Sequence, residues 1–294
     1  AGLPIDTFAP RLSFFFNAHI DFFEEIAKMR AARRIWARWM KERYGAQLEK
    51  SMQLRFHTQT AGVSLTAQQP EVNLIRTAIE ALAGALGGTQ SLHTNSMDEA
   101  LALPTEKAAR LALRTQQVIA HETNVTKVAD PLGGSWFVEE LTDEMERQAE
   151  EIFSYLDEIG KGSILEGVIT GIDENWFQGR IADSAYELER TFNEGTRHIV
   201  GVTDFFEGND DTVDILQITN EDEARQKDRL VSVKQDRDQE AVEKVLAKLA
   251  QEAADPEINL MPTLIEAAHA YATLGEVMST LAGVFGRHVE VPVI

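Results

Sequence analysis

The chain of 294 residues is hydrophobic at 44% of its positions and charged at 26%, and it carries a net charge of −20. This composition is typical of a globular protein, and no apolar run is long enough to cross a membrane. The absence of cysteine excludes disulfides, thiolate zinc sites and cysteine nucleophiles. The acidic balance makes nucleic acids and anionic membranes poor partners, and it fits either a solubility-driven surface or a salt-adapted source. We expect a cytoplasmic protein without a signal peptide.

The first part of the chain, residues 1–128, alternates strand patterns with helical patterns. The strand patterns cover Arg11 to Asn17, Gln53 to Thr60 and Thr89 to Thr94. The helical patterns cover residues 19–44, 70–86 and 105–121, and Thr105 is suited to cap the last of them. Three successive βα units predict a parallel sheet with crossover helices. Because an open sheet of three strands leaves edges uncovered and the chain begins directly at a strand, we expect the latter part of a larger barrel.

The second part, residues 129–294, is acidic and mostly helical, and it opens on the turn-forming segment DPLGGS. Helices are predicted at residues 139–160, 176–194, 219–252 with an interruption, 260–272 and 274–286. One strand is predicted at Ile199 to Phe205 and one loop at Glu207 to Asp211. The charges recur at the spacing of solvated helix faces, which indicates a linker or a subunit contact rather than a catalytic centre.

Polar side chains occupy one face of the predicted second strand, where a buried parallel strand is normally apolar. Alternation places Arg55, His57 and Gln59 together, and on the first strand it places Arg11 with Ser13. Burying such groups without partners is costly, so we favour a ligand site at the carboxyl ends of the strands. The alternatives are an exposed strand face, an Arg55 held by a structural carboxylate, and a His57 that is structural only.

The third unit adds the polar residues Gln90, His93 and Asn95, and Glu99 follows four positions after Asn95. If Asn95 opens a helical turn, its side chain and that of Glu99 face the same side and can hold sugar hydroxyls or a base edge. The alternative is a helix cap at Asn95 with a solvated Glu99 in the first turn.

Common metal-binding and phosphate-binding motifs are absent from this sequence. It contains no HExxH, no Walker lysine loop and no GxGxxG fingerprint. A single Glu266-x-x-His269 pattern is interpreted as a helix surface. We therefore expect no metal ligand in this chain.

Four segments carry a resemblance to a known family: IDTFAPRLSFFF, LRFHTQTAGVSLTAQQPE, GGTQSLHTNSMDEALALPT and KVADPLGGSWFVE. They closely resemble the adenosylcobalamin-dependent acyl-CoA mutases, which include methylmalonyl-CoA mutase, isobutyryl-CoA mutase and 2-hydroxyisobutyryl-CoA mutase. The resemblance continues to GEVMSTLAGVFGRH and covers essentially the whole chain. It implies an α/β fold in which residues 1–128 form strands six to eight of a (β/α)8 TIM barrel. Residues 129–294 would then form a mainly helical region for linking and subunit contact.

The resemblance also implies a role for each polar position. His57 and Gln59 would hold the reacting groups in place by hydrogen bonding. The residues implied in binding the acyl-CoA substrate are Arg11, Ser13, Phe15, Arg55 and Gln90. The residues implied in contacting adenosylcobalamin are Gly62, where the backbone would approach the corrin, and Asn95 and Glu99, which would bind the adenosyl ribose and the corrin periphery.

The reaction implied by the resemblance is a radical rearrangement of the carbon skeleton of a short acyl-CoA, first of all the interconversion of methylmalonyl-CoA and succinyl-CoA. Val63 stands where methylmalonyl-CoA mutases commonly have tryptophan, which keeps isobutyryl-CoA mutase and 2-hydroxyisobutyryl-CoA mutase as alternatives. The family's cobalt-ligating DxHxxG motif and its earlier barrel strands do not occur in this chain. The implied partners are therefore an N-terminal barrel half and a cobalamin-binding subunit or domain, in a hetero-oligomer. A non-catalytic half-subunit, inactive alone, is a further alternative.

Overall fold

A computed structural model describes residues 2–207 and 213–289, and the chain divides into two compact units, Ala1–Leu216 and Gln217–Ile294. The first unit is of the α/β class and the second is helical. The predicted boundary at residue 128, between the barrel part and the helical part, falls inside the first unit. This division of the chain stays a prediction. Of the predicted loop at Glu207 to Asp211, only Glu207 lies within the described residues.

The first unit has three short strands, β1 (Phe14–Ala18), β2 (Phe56–Thr60) and β3 (Ser91–His93). Its helices are α1 (Ile5–Phe8), α2 (Phe22–Glu42), α3 (Asn73–Leu86), α4 (Glu106–Glu122), α5 (Trp136–Ile159), α6 (Ile164–Asp173) and α7 (Trp176–Asn193). Across the described ranges, no helix combines the length and the apolar character that crossing a bilayer requires.

The three strands form one parallel sheet in the order β1-β2-β3, and a helix follows each strand. This confirms the succession of βα units predicted from the sequence. Thr105 caps α4 as predicted, because its hydroxyl oxygen accepts a hydrogen bond from the amide of Ala108 at 3.3 Å. The first strand is shorter than predicted, since Ala9–Arg11 form a 3-10 turn that contains Pro10. Arg11 therefore lies outside the strand.

Helix α2 holds the first unit together through two of its faces. One face buries Ile26 and Met29, and Met29 packs with Phe56 of β2. The other face carries arginines about one turn apart, which form ion pairs with carboxylates of α5 or of the segment just before it. The pairs include Arg30–Glu139 at 2.6 Å, Arg34–Asp143 at 2.8 Å, Arg38–Glu150 at 2.6 Å and Arg43–Asp157 at 2.6 Å. The start of the predicted second part is thus joined directly to the βα region.

One prediction for the region after α5 was wrong, and one helix there was not predicted. The stretch Ile199 to Phe205 is not a strand but a tight turn with one isolated bridge between Val200 and Asp204. Gly201 adopts φ +80°, and the Thr203 hydroxyl accepts a hydrogen bond from the Ile199 amide at 2.7 Å, so the chain reverses there. Helix α6 was not predicted at all.

The second unit contains four helices in the residues that the structure describes: α8 (Asn220–Asp236), α9 (Gln239–Ala253), α10 (Met261–His269) and α11 (Leu274–Phe285). The predicted interruption between α8 and α9 is confirmed, and Asp238 caps α9 by accepting from the amide of Ala241 at 3.0 Å. Val242, Val245 and Leu249 form the buried face of α9. Arg237 joins the start of α11 through an ion pair with Glu276 at 2.6 Å, which lowers the pKa of that carboxyl group.

Candidate functional site

The predicted alternation of side chains along β2 is confirmed. Phe56, Thr58 and Thr60 are buried, whereas His57 and Gln59 are half-buried on the opposite face. The sheet therefore presents a polar face that is open in the described part of the chain, and its apolar face packs against helices α2 and α3. An open polar face is where strand side chains can contact a ligand.

The parallel register aligns the polar face into two rows across the three strands. In the first row Phe15, His57 and Ser91 are neighbours. His57 Nδ1 and Ser91 Oγ share a hydrogen bond of 2.7 Å, and the rings of His57 and Phe15 lie 5.2 Å apart. Phe15 is 59% exposed on this face of the sheet.

The second row contains Asn17, Gln59 and His93. Sequence reasoning selected Gln59 for a role and noted His93 without assigning one, but it missed Asn17. The signal was present, because Asn17 continues the alternation that starts at Ser13 and passes through Phe15. Together the rows bring two amides, two imidazoles and a hydroxyl group to the same face of the sheet.

Arg55 lies just before β2 and is held by main-chain oxygens. Its guanidinium donates to the carbonyl oxygens of Pro10 and of Leu12, the latter at 3.1 Å. The partner is therefore not the structural carboxylate that we considered as an alternative. These bonds fasten the segment that contains Arg11 and Ser13, whose side chains are exposed beside the sheet.

Gln90 lies just before β3 and is also bonded to the main chain. Its Oε1 accepts from the amide of Phe56 at 2.7 Å, and its Nε2 donates to the carbonyl of Gly88 at 3.0 Å. The side chain thus links the start of β3 to β2. Its implied role beside the substrate stays a prediction.

Three residues predicted to bind the cofactor come together at the carboxyl ends of β2 and β3. Gly62 opens a 3-10 turn, Gly62–Ser64, directly beyond β2. A Cβ atom on Gly62 would lie 3.1 Å from Asn95 Nδ2 and 3.6 Å from Glu99 Oε1. Asn95 does not open a helix but precedes a turn over residues 97–101, so the helix-cap alternative is wrong. We call Gly62, Asn95 and Glu99 the Gly62 cradle.

Asn95 is the most unusual member of the Gly62 cradle. It is 1% exposed, and within the described residues neither its Oδ1 nor its Nδ2 has a hydrogen-bond partner. Its main-chain amide is bonded to Thr60 Oγ1 at 2.9 Å, which fixes the residue in place. Buried amides are normally paired, and an unpaired one costs about 1–3 kcal/mol.

Asn73, at the start of α3, joins the two loops that carry the Gly62 cradle. Its Nδ2 donates to the carbonyls of Thr66 at 2.8 Å and Met97 at 3.0 Å. Its Oδ1 accepts from the Thr66 amide at 3.0 Å and from Arg76 at 2.7 Å. Sequence reasoning missed this residue, because an asparagine at a helix start gives only the ordinary signal of a cap.

The fold defines the class of the protein: an α/β protein with a small parallel sheet, which carries a polar face and polar side chains at the carboxyl ends of its strands. A family model described as methylmalonyl-CoA mutase matches residues 1–287. The chain belongs to that family.

Three curated relatives illustrate the match. The chain is 47% identical over 293 residues to the 2-hydroxyisobutanoyl-CoA mutase large subunit of Aquincola tertiaricarbonis, which covers 99% of this chain and 51% of the relative. It is 43% identical over 289 residues to the mitochondrial methylmalonyl-CoA mutase of Homo sapiens, covering 98% and 38%. It is 41% identical over 292 residues to the methylmalonyl-CoA mutase of Rhizobium meliloti, covering 99% and 40%. The chain thus spans about half, or less, of the length of these relatives.

Proposed function

We propose that this chain forms part of an adenosylcobalamin-dependent acyl-CoA mutase, in which β1, β2 and β3 are strands six to eight of a (β/α)8 barrel. The observation that carries the proposal is the Gly62 cradle, where a buried, unpaired amide lies against a glycine at the strand ends. In a parallel barrel these ends face the ligand. Membership of the mutase family supplies the reaction class.

The polar groups of the Gly62 cradle suit the adenosyl part of the cofactor. Gly62 leaves room for the Asn95 side chain, because a Cβ there would lie 3.1 Å from Asn95 Nδ2, and the Asn95 amide offers an NH2 group and a carbonyl oxygen that the described residues leave unused. Glu99 adds an exposed carboxylate that can accept from ribose hydroxyls. When bound, adenosylcobalamin supplies the radical chemistry, and the protein supplies orientation and a closed site.

The polar face of the sheet is proposed to hold the acyl-CoA. His57 and Gln59 would donate and accept hydrogen bonds at the reacting part of the substrate, with neither of them acting as a general base. Phe15, exposed beside His57, would pack against the acyl group. Arg11 and Ser13, held close by the bonds of Arg55, would contact the CoA moiety.

The first substrate to consider is methylmalonyl-CoA, converted to succinyl-CoA, because most of the relatives given above carry that name. A second candidate, 2-hydroxyisobutyryl-CoA or isobutyryl-CoA, is favoured by Val63 and by the 47% identity to the Aquincola large subunit. Val63 is 84% exposed beside Gly62, so the residue at this position borders the proposed cofactor surface.

The sheet requires a partner to become a barrel. In the described sheet, β1 and β3 each pair with one neighbour only, which leaves main-chain donors and acceptors along both outer edges. We propose that an N-terminal barrel half and a cobalamin-binding subunit or domain complete the site. The chain alone would then be an inactive half-subunit.

Cofactor binding tests the proposal directly. This test and several below use a completed enzyme. In it, this chain replaces the matching segment of the Aquincola large subunit, and the hybrid subunit is combined with the remaining components of that enzyme. We expect the completed enzyme to bind adenosylcobalamin in equilibrium dialysis. Asn95→Leu should weaken binding about tenfold or more, the effect of losing hydrogen bonds to a ligand. Val168→Leu, in helix α6 away from the cradle, serves as a control; equal affinities in all three proteins would contradict the proposal.

A further inference from the structure

Glu80 is a carboxyl group buried next to the turn that carries Gly62. It lies on α3, is 0% exposed, and is hydrogen-bonded through Oε1 to the hydroxyl of Ser64. Its Oε2 has no partner among the described residues. Ser64 ends the Gly62–Ser64 turn, so a single hydrogen bond connects Glu80 to the Gly62 cradle.

The hydrogen bonds of Ser64 indicate the protonation state of Glu80. Ser64 Oγ lies 2.7 Å from the carbonyl oxygen of Ala61 and is also bonded to Glu80. A hydroxyl group carries one proton, so it cannot donate to both a carbonyl oxygen and an ionised carboxylate. If Glu80 is neutral, its carboxyl proton goes to Ser64 Oγ, and the Ser64 proton goes to Ala61. The neutral acid is thus the form that satisfies both contacts.

The surroundings of Glu80 also favour the neutral acid. Arg76, one turn earlier on α3, donates instead to Thr66, Asn73 and the carbonyl of Val200. From α2 the facing charged group is Glu25, itself bonded to Lys28. Burial raises the pKa of Glu80 to about 7, and the charge of Glu25 adds to this rise. The Ser64 bond, the main-chain amide of Ala61 and, more weakly, Arg76 oppose it.

We propose that Glu80 is a positioning residue that works as a neutral carboxylic acid, donating to Ser64 and so fixing the turn that presents Gly62 to the ligand. Loss of its proton above neutral pH removes one hydrogen bond and loosens the turn. The identity of the ligand in this inference rests on the proposed function. The protonation state of Glu80 is independent of it.

Infrared spectroscopy tests the protonation without any cofactor. Between about pH 6 and about pH 8.5, the wild-type chain should lose the band of a protonated carboxyl group. Glu80→Gln, which keeps a donor but cannot ionise, should lack this band at every pH. The inference is overturned if the wild type shows no such band at the acidic end.

Cofactor affinity tests the positioning role in the completed enzyme. Over the same pH range the wild-type affinity for adenosylcobalamin should fall about tenfold, the effect of about one hydrogen bond. Glu80→Gln should bind at every pH as the wild type does at the acidic end, and Ser64→Ala should bind weakly throughout. Glu252→Gln is a matched control, because Glu252 makes the same kind of bond, to the hydroxyl of Thr263, in the second unit. A Glu80→Gln enzyme with the wild-type pH dependence overturns the inference.

Failure of the proposed function can be told apart from failure of this inference. If no variant binds adenosylcobalamin, the proposed function is wrong, and amide hydrogen exchange over residues 61–65 decides the role of Glu80. At about pH 8.5 these amides should exchange about tenfold faster in the wild type than in Glu80→Gln. Equal exchange in both proteins at that pH overturns the inference.

Discussion

Two buried asparagines near the proposed cofactor surface lead to different predictions for the same substitution. Asn73 is 0% exposed and has all of its hydrogen bonds made inside the protein, whereas Asn95 is 1% exposed and has none made by its side chain within the described residues. Leucine has the branched outline of asparagine, but it is larger and has no polar atoms. Asn95→Leu and Asn73→Leu therefore compare an unpaired amide with a paired one at a similar depth.

The magnitudes follow from the groups left without partners. Asn95→Leu removes two unpaired polar atoms, which favours the folded ligand-free chain by about 1–3 kcal/mol. Its larger side chain is crowded against Gly62 at a similar cost, so the free energy of unfolding should change little. Asn73→Leu leaves three main-chain groups unpaired, the amide and carbonyl of Thr66 and the carbonyl of Met97. At about 1–3 kcal/mol for each group, it should cost roughly 3 kcal/mol or more.

Urea unfolding followed by tryptophan fluorescence measures both effects. All four tryptophans, Trp36, Trp39, Trp136 and Trp176, lie in the first unit, so the signal reports the unit that contains the asparagines. We expect the urea midpoint to change little for Asn95→Leu and to fall clearly for Asn73→Leu, at an unchanged slope. If Asn95→Leu destabilises the chain as much as Asn73→Leu, then the Asn95 amide has internal partners and is not kept for a ligand.

Three further predictions concern catalysis, packing and pH. In the completed enzyme, Gln59→Ala should lower kcat. Glu99→Ala should slow cobalt–carbon homolysis, measured by stopped-flow absorbance, and leave the KM for acyl-CoA little changed. A raised KM with unchanged homolysis would contradict the proposed place of Glu99 at the cofactor. Arg38→Met, which breaks pairs between α2 and α5, should cost about 1–2 kcal/mol in urea unfolding, whereas the exposed control Arg147→Met should leave the urea midpoint almost unchanged. Equal effects of the two variants would refute the α2–α5 contribution. Because burial raises the pKa of Glu80 to about 7, the free energy of unfolding of the wild type should decrease by at most about 3 kcal/mol as pH rises from about 4.5 to about 7. Glu80→Gln should not show this decrease. If the variant shows the same decrease, Glu80 is not its source.

The strand faces could be predicted from the sequence because they depend on local alternation. His57 and Gln59 lie on one face of β2 and Phe56 and Thr58 on the other, as the period of two requires. The same rule failed for Ile199 to Phe205, where Gly201 and the Thr203 hydroxyl reverse an apolar, β-branched stretch. A local hydrogen bond outweighed strand propensity there.

The partners of the site residues could not be predicted from the sequence. Residues 62 and 95 are far apart in the chain, and only the parallel order of β2 and β3 brings them together. Arg55 and Gln90 bond to main-chain oxygens and amides, which carry no sequence signal. The resemblance to the mutases assigned roles to these residues, and those roles stay predictions.

Turnover by the completed enzyme is the measurement that tests the central claim most directly. We expect rearrangement of methylmalonyl-CoA, isobutyryl-CoA or 2-hydroxyisobutyryl-CoA that depends on added adenosylcobalamin, and none from this chain alone. Gln59→Ala in the same enzyme should reduce kcat by about tenfold or more. A completed enzyme that assembles and binds adenosylcobalamin but converts none of the three substrates would contradict the account, as would turnover by the chain alone.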